Sequence, residues 1–166
     1  GLGDVYKRQG GDLFYQNAQL LKEQNVDVCI VCDNDVRTLG GKYQEAILKG
    51  ITVIRWGSGN SLEEQVFQDV DHNTFIELIK LAYEINPGRN LLKEISLTDT
   101  DIDTLTDDLE IRKKIGEAAK SKNWFKDISR AEALSNCIFK SYLTGKTKNG
   151  KLLYQKLDEL LSWVKR

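Results

Sequence analysis

Asp33, Asp35 and Glu63 are the residues of this 166-residue chain whose types and spacing point most directly to chemistry. The first two close an apolar, β-branched run, Val26-Asp27-Val28-Cys29-Ile30-Val31-Cys32, as Asp33-Asn34-Asp35. Carboxylates one residue apart repel, so keeping both ionised calls for a cation, and oxygen ligands favour Mg2+ or Mn2+. Glu63 follows a second strand-like run, Ile51-Thr52-Val53-Ile54-Arg55, and the loop Trp56-Gly57-Ser58-Gly59-Asn60. If the two runs are parallel strands, their carboxyl ends share the sheet edge at which open α/β sheets bind ligands, and the three acids converge there. Three carboxylates leave coordination positions for water and phosphate oxygens, which suits phosphodiester hydrolysis by an activated water. The plain alternative is a solvated acidic turn, since Asp and Asn are ordinary turn residues. Lys126 is a fourth candidate, within Asn123-Trp124-Phe125-Lys126-Asp127-Ile128. Held by buried aromatic neighbours, it would stabilise phosphate charge in a transition state. The same residues also describe a core plug with a lysine stem lying along it.

These residues need elements to hold them. Leu13, Phe14, Asn17, Leu20 and Leu21 predict a helix over about residues 12–24, with Asp12 at its N-cap after a Gly10-Gly11 turn and Asn25 ending it. The first strand follows at once, a helix-then-strand order typical of α/β units. Gly40-Gly41 are expected to turn the chain, and Tyr43, Ala46 and Ile47 to form the inner face of a short helix closed by Gly50. After the second strand, Leu62, Val66, Phe67 and Val70 space as one helix face. Ser61-Leu62-Glu63-Glu64 fits a capping box, which gives Glu64 a structural task and leaves Glu63 for chemistry. A register with Asn60 at the cap and Glu63 reaching back would reverse that.

From Asp71 onward the pattern is helical. Phe75, Leu78, Ile79, Ala82 and Tyr83 make one helix, ended by Asn86-Pro87-Gly88, the expected boundary between a sheet-bearing part (10–86) and a C-terminal helical part (87–166). Asp101-x-Asp103 has the spacing of a second metal motif but no apolar strand before it, and reads as a solvated helix start. Further helices are expected over about 107–121, over 129–143 with a Ser129-Arg130-Ala131-Glu132 capping box, and from Lys151 to Trp163. Leu152, Leu153, Leu157, Leu160, Leu161 and Val164 are the core positions of the last.

Composition is that of a globular protein, 40% hydrophobic and 30% charged. Residues 1–9, Gly-Leu-Gly-Asp-Val-Tyr-Lys-Arg-Gln, resemble the in-frame translation of a transposase adapter used in sequencing libraries, and are set aside as non-native. Without Asp4, Lys7 and Arg8 the formal net charge moves from −1 to −2, which gives no sign of nucleic-acid binding beyond a local basic patch. Cys29, Cys32 and Cys137 are an odd set and read as small core residues in a reducing, cytoplasmic setting. Cys29-x-x-Cys32 has zinc-knuckle spacing without a second pair, and His72 is the only histidine. No apolar run approaches the ~18 residues of a membrane span. With no methionine in the chain, a reading frame cut at its N-terminus is the expectation.

The strand ending in Asp33-Asn34-Asp35 resembles the Asp-x-Asp strand of Toprim domains, which occur in topoisomerases, primases and several nucleases. Most of residues 10–166 is similar to the C-terminal Toprim region of the overcoming-lysogenization-defect (OLD) family of ATP-dependent endonucleases. Gly10-Gly11 resembles the Gly-Gly after an earlier strand, Asp33-Asn34-Asp35 the metal-binding pair, Leu62-Glu63 the later acidic position, and Trp124-Phe125-Lys126 the aromatic-Lys motif whose lysine is implicated in catalysis. Two departures stand out. Ala131-Glu132 and Leu134-Ser135 occupy places where that family has Gly-Glu and Leu-Gly. A Toprim domain also begins with a strand ending in glutamate, and nothing between Gly10 and Val26 supplies it.

The resemblance implies an α/β fold, a Toprim-like, mostly parallel sheet flanked by helices with its first strand missing, then a C-terminal helical subdomain. It implies a divalent-metal-dependent DNA endonuclease with Asp33, Asp35 and Glu63 holding Mg2+ or Mn2+ and Lys126 stabilising charge. DNA is the implied partner, and the parent a homo-oligomer that couples to ATP only through a missing N-terminal domain. Anti-phage defence or DNA processing is the implied biology, and the fragment alone is expected to fold poorly and be inactive. One alternative is a haloacid-dehalogenase-type magnesium phosphatase, with Asp33 as nucleophile and Asp35 as general acid. Thr38 is one place out of register for it, and a downstream acidic pair is lacking. The other is a Toprim-like module that only binds DNA or a partner.

Overall fold

A computed structural model of the protein describes residues 13–34, 40–57, 59–97, 101–144 and 151–166. Residues 1–9, Gly10-Gly11, Asp12, Asp35 and Thr38 lie outside them. The described chain is α/β and mostly helical: α1 Leu13–Glu23, β1 Cys29–Cys32, α2 Gly40–Leu48, β2 Thr52–Arg55, α3 Leu62–Asp69, α4 His72–Ile85, α5 Leu109–Ser121, α6 Ile128–Leu143 and α7 Leu152–Val164. Single 3-10 turns cover Lys93–Ile95 and Ile102–Thr104, the second capped by Asp101, so Asp101-x-Asp103 is the helix start its sequence suggests.

β1 and β2 pair in parallel, Cys29 opposite Thr52 and Cys32 opposite Arg55. The carboxyl ends therefore coincide, with Asp33 leaving one strand beside Trp56 leaving the other. Both strands are shorter than their apolar runs. Pairing ends on the N-terminal side at Thr52 N–H to Val28 O (3.1 Å), because the residues just before Thr52 are still closing α2. There Gly50 takes a φ of +71°, open to glycine at little cost, and Ile51 N–H returns to Ala46 O. Gly40-Gly41, expected to turn the chain, instead open α2. Ala46 is fully buried, but Ile47, expected beside it, is exposed, since adjacent helical residues diverge by about 100°.

Side chains alternate across the sheet. Ile30, its neighbour Val53 and Ile51 pack with Tyr15 and Ala18 of α1 and Ala46 of α2. The opposite face buries Ile54, with α7 lying against β2, while the cross-strand neighbour Val31 is 43% exposed. Cys29 and Cys32 are three apart on a strand and so face opposite sides, which removes the knuckle geometry.

The larger core draws on residues from both sides of Pro87: Trp56, Val66, Phe67, Phe75, Leu78, Ile79, Ile115, Trp124, Phe125 and Leu153 among them. α3 and α5 cross closely at Gly116, where a Cβ would stand 2.9 Å from Glu64 Cα. α4 is capped by Asp71 and ends at Asn86, whose amide donates to Ala82 O (2.8 Å) and Trp124 O (3.1 Å). α6 departs from its expected cap. Asp127, not Ser129, caps it by accepting Arg130 N–H (2.8 Å), and the Ser129 hydroxyl donates to the same carboxylate. An aspartate carries two acceptor oxygens on a short stem and displaces a serine two residues on. In α7, Leu153, Tyr154 and Leu157 are buried, whereas Val164, expected in the core, is exposed past the last packed turn.

Candidate functional site

At the carboxyl edge of the sheet, Asp33 leaves β1 half-buried and its Oδ1 accepts the N–H of Leu62 (2.9 Å), the first residue of α3. The contact spans 29 residues of sequence and brings Asp33 beside the residue preceding Glu63. Asp33 thus sits at the N-terminal end of α3, where the helix dipole is positive. One expectation about the site is thereby refined. Ser61 caps α3, its hydroxyl accepting Glu64 N–H (3.3 Å), and the Glu64 carboxylate accepts Ser61 N–H (2.7 Å). Glu64 also pairs with Lys120 of α5 at 3.6 Å. Ser61 rather than Asn60 is the cap, so the capping task falls to Glu64 and not to Glu63, its neighbour in the first turn of α3.

Asn34, between the two acids of the motif, is held on three sides. Its N–H donates to Asn60 O (2.9 Å), its side-chain amide donates to Trp56 O (2.9 Å), and its side-chain oxygen accepts from the Arg55 guanidinium. Arg55 in turn lies over the Tyr43 ring of α2, 4.8 Å from its centre. Gly57 and Asn60 are both tied to α3. The Gln65 side-chain oxygen accepts Gly57 N–H (2.7 Å) and the Asn60 amide (3.1 Å), and its nitrogen donates to buried Asp69 (2.6 Å). Asp69 also accepts Leu153 N–H (2.9 Å), capping α7 from another helix. None of these contacts stood out in the sequence. Asn34 passes as a spacer between acids, and only the four-residue spacing of Gln65 and Asp69 signals a helical pair.

Trp124 and Phe125 are buried against Phe67, each about 6.4 Å from its ring centre, with Trp124 edge-on. Phe67 lies one helical turn past Glu63, so the segment bearing Lys126 docks on the helix that bears Glu63. Lys126 itself is exposed beside the α6 cap. Asp35 lies outside the described residues, among which no cluster of three or more His, Cys, Asp or Glu is arranged to hold a metal ion. What is brought together is Asp33, Asn34 and the start of α3.

Burial pushes the Cys32 thiol up to about 11, against the opposing pull of Arg55 and helped by Asp33, and burial raises Cys29 as well. Both are neutral thiols at neutral pH. Among the described residues no helix is long and apolar enough to cross a membrane. By its fold and this edge, the chain is an α/β protein whose described residues set a two-stranded parallel unit beside a larger helical body. No family model, no curated protein and no solved structure matches it.

Proposed function

We propose that the chain is the metal-binding nuclease part of a Toprim-like, ATP-dependent DNA endonuclease of the OLD type. The observation that carries this reading is the 2.9 Å contact from Leu62 N–H to Asp33, which couples the end of β1 to the helix start that bears Glu63. The donor set suits the ion. Carboxylate oxygens are the ligands Mg2+ and Mn2+ prefer, and Asp33, Asp35 and Glu63 would hold one or two such ions while leaving positions for water and phosphate. A bound ion supplies an activated water and a counter-charge for the leaving oxygen. The chain's own residues then have distinct tasks. Asp33 is oriented by Leu62 N–H and the α3 dipole, Glu63 is presented by a helix turn closed through Ser61 and Glu64, and Lys126 adds positive charge from the aromatic anchor. Cytoplasmic DNA processing or defence against phage is the setting this reading implies.

Mn2+ titration followed by electron paramagnetic resonance tests it. The chain should bind Mn2+ with Mg2+ competing, and Asp33→Asn or Asp35→Ala should abolish binding. Binding unaffected by both substitutions would overturn the reading. In the intact parent, turnover of small phosphate esters lost on Asp33→Asn, with DNA left uncut, would favour the phosphatase chemistry instead.

A further inference from the structure

The Asn34 clamp does more than finish a turn. Resting on the metal-site reading above, we propose that Asn34, held by Arg55, is a positioning residue that fixes the Asp33 carboxylate relative to Glu63. Asp33 and Glu63 belong to segments with no covalent reason to keep a set distance. One follows β1, the other opens α3 after a loop with glycines at 57 and 59. Three of the ties across this gap run through Asn34: to Asn60 O, to Trp56 O and from Arg55. Asp33 itself adds another, on Leu62 N–H. A carboxylate pair that shares an ion needs its oxygens held to within a few tenths of an ångström, and groups that orient metal ligands without touching the metal contribute about 10- to 100-fold in affinity.

The chemistry of the clamp requires an amide. Trp56 O needs a donor and Arg55 needs an acceptor, and Asn34 supplies both from one planar group. Aspartate would satisfy Arg55 and lose the donor to Trp56 O, besides adding a third negative charge between two others. Alanine would lose both. Arg55 is not a bystander, since its stacking on Tyr43 fixes the guanidinium plane that meets Asn34 and carries the arrangement into α2.

The test measures Mn2+ affinity by electron paramagnetic resonance, with thermal unfolding recorded alongside, on the whole chain. Wild type, Asp33→Asn, Asn34→Ala, Arg55→Ala and Arg55→Lys are compared. Asp71→Ala serves as a control that removes a helix cap away from the sheet edge and lowers stability alone. Asn34→Ala should weaken Mn2+ binding about tenfold or more. Arg55→Ala should do likewise, Arg55→Lys should recover only part of the loss, since it restores a donor but not the guanidinium plane stacked on Tyr43, and the control should bind as wild type. Should Asn34→Ala fail to fold, the contrast between Arg55→Ala and Arg55→Lys decides. Wild-type affinity in Asn34→Ala and Arg55→Ala, with Asp33→Asn still abolishing binding, overturns the clamp alone. Absence of Mn2+ binding in the wild type overturns the metal reading and the clamp together.

Discussion

Asp71 shows at the scale of one residue how a charge becomes stability. Burial by itself would raise its carboxyl pKa, but the Thr74 hydroxyl and N–H and the Ser141 hydroxyl outweigh burial and hold it below the usual range. A depressed carboxyl stabilises the fold fully above its unfolded pKa of about 3.9 and loses that contribution as pH falls through the folded value. Asp71→Ala should therefore cost about 1 kcal/mol at pH 7, and the cost should shrink below about pH 4 as the wild-type carboxyl protonates. Chemical denaturation at several pH values checks this, and a cost that does not vary with pH would contradict it. Cys32 makes the converse case. With its pKa near 11, it should react with maleimide at about pH 7.5 far more slowly than a small free thiol, and denaturant should remove the difference. Residue-level roles were legible where chemistry is local. The Ser61–Glu64 box could be read from four adjacent letters, whereas Asn34 could not, because its three partners are Arg55, Trp56 and Asn60, contributed by the other strand and its loop.

At the scale of elements, helices declared themselves and strand lengths did not. α4, α5 and α7 lie within a residue or two of where their apolar spacing puts them, because each face is fixed by neighbours three and four residues away. The extent of β1 depends on a partner twenty-odd residues on, and that partner begins only after Gly50 has closed α2. Asp127 won the α6 cap over Ser129 for a reason of acceptor geometry that a motif match does not weigh. The crossing of α3 and α5 yields a sharp expectation. A methyl group at Gly116 would meet the α3 backbone at Glu64, which cannot give way as a flexible side chain can. Gly116→Ala should thus cost about 1–3 kcal/mol. The next residue, Glu117, is exposed on the solvent side of α5. Glu117→Ala should change stability by no more than about 0.5 kcal/mol. Equal effects from the two substitutions, measured by urea unfolding, would show that α3 and α5 do not pack as described.

For the whole molecule, the α/β class was legible from two β-branched runs set between helical patterns, and the shared edge of Asp33 and the start of α3 follows from their parallel pairing. The sheet is small, and most of the buried apolar surface lies among the helices from α3 onward, a balance that counting strands in sequence does not reveal. That body matters for the site, since α3 is gripped by α5 at Gly116, by the Trp124-Phe125 anchor and, through Asp69, by the start of α7. The central claim is that Asp33 and Glu63 share a divalent ion while Glu64 closes the helix and pairs with Lys120. Mn2+ affinity measured in Glu63→Gln and Glu64→Gln separates the two carboxylates most directly. Glu63→Gln should weaken binding at least about tenfold, and Glu64→Gln, whose amide oxygen can still accept the Ser61 N–H, should leave binding within about twofold. The reverse pattern, with Glu64→Gln losing the ion and Glu63→Gln keeping it, would contradict the account.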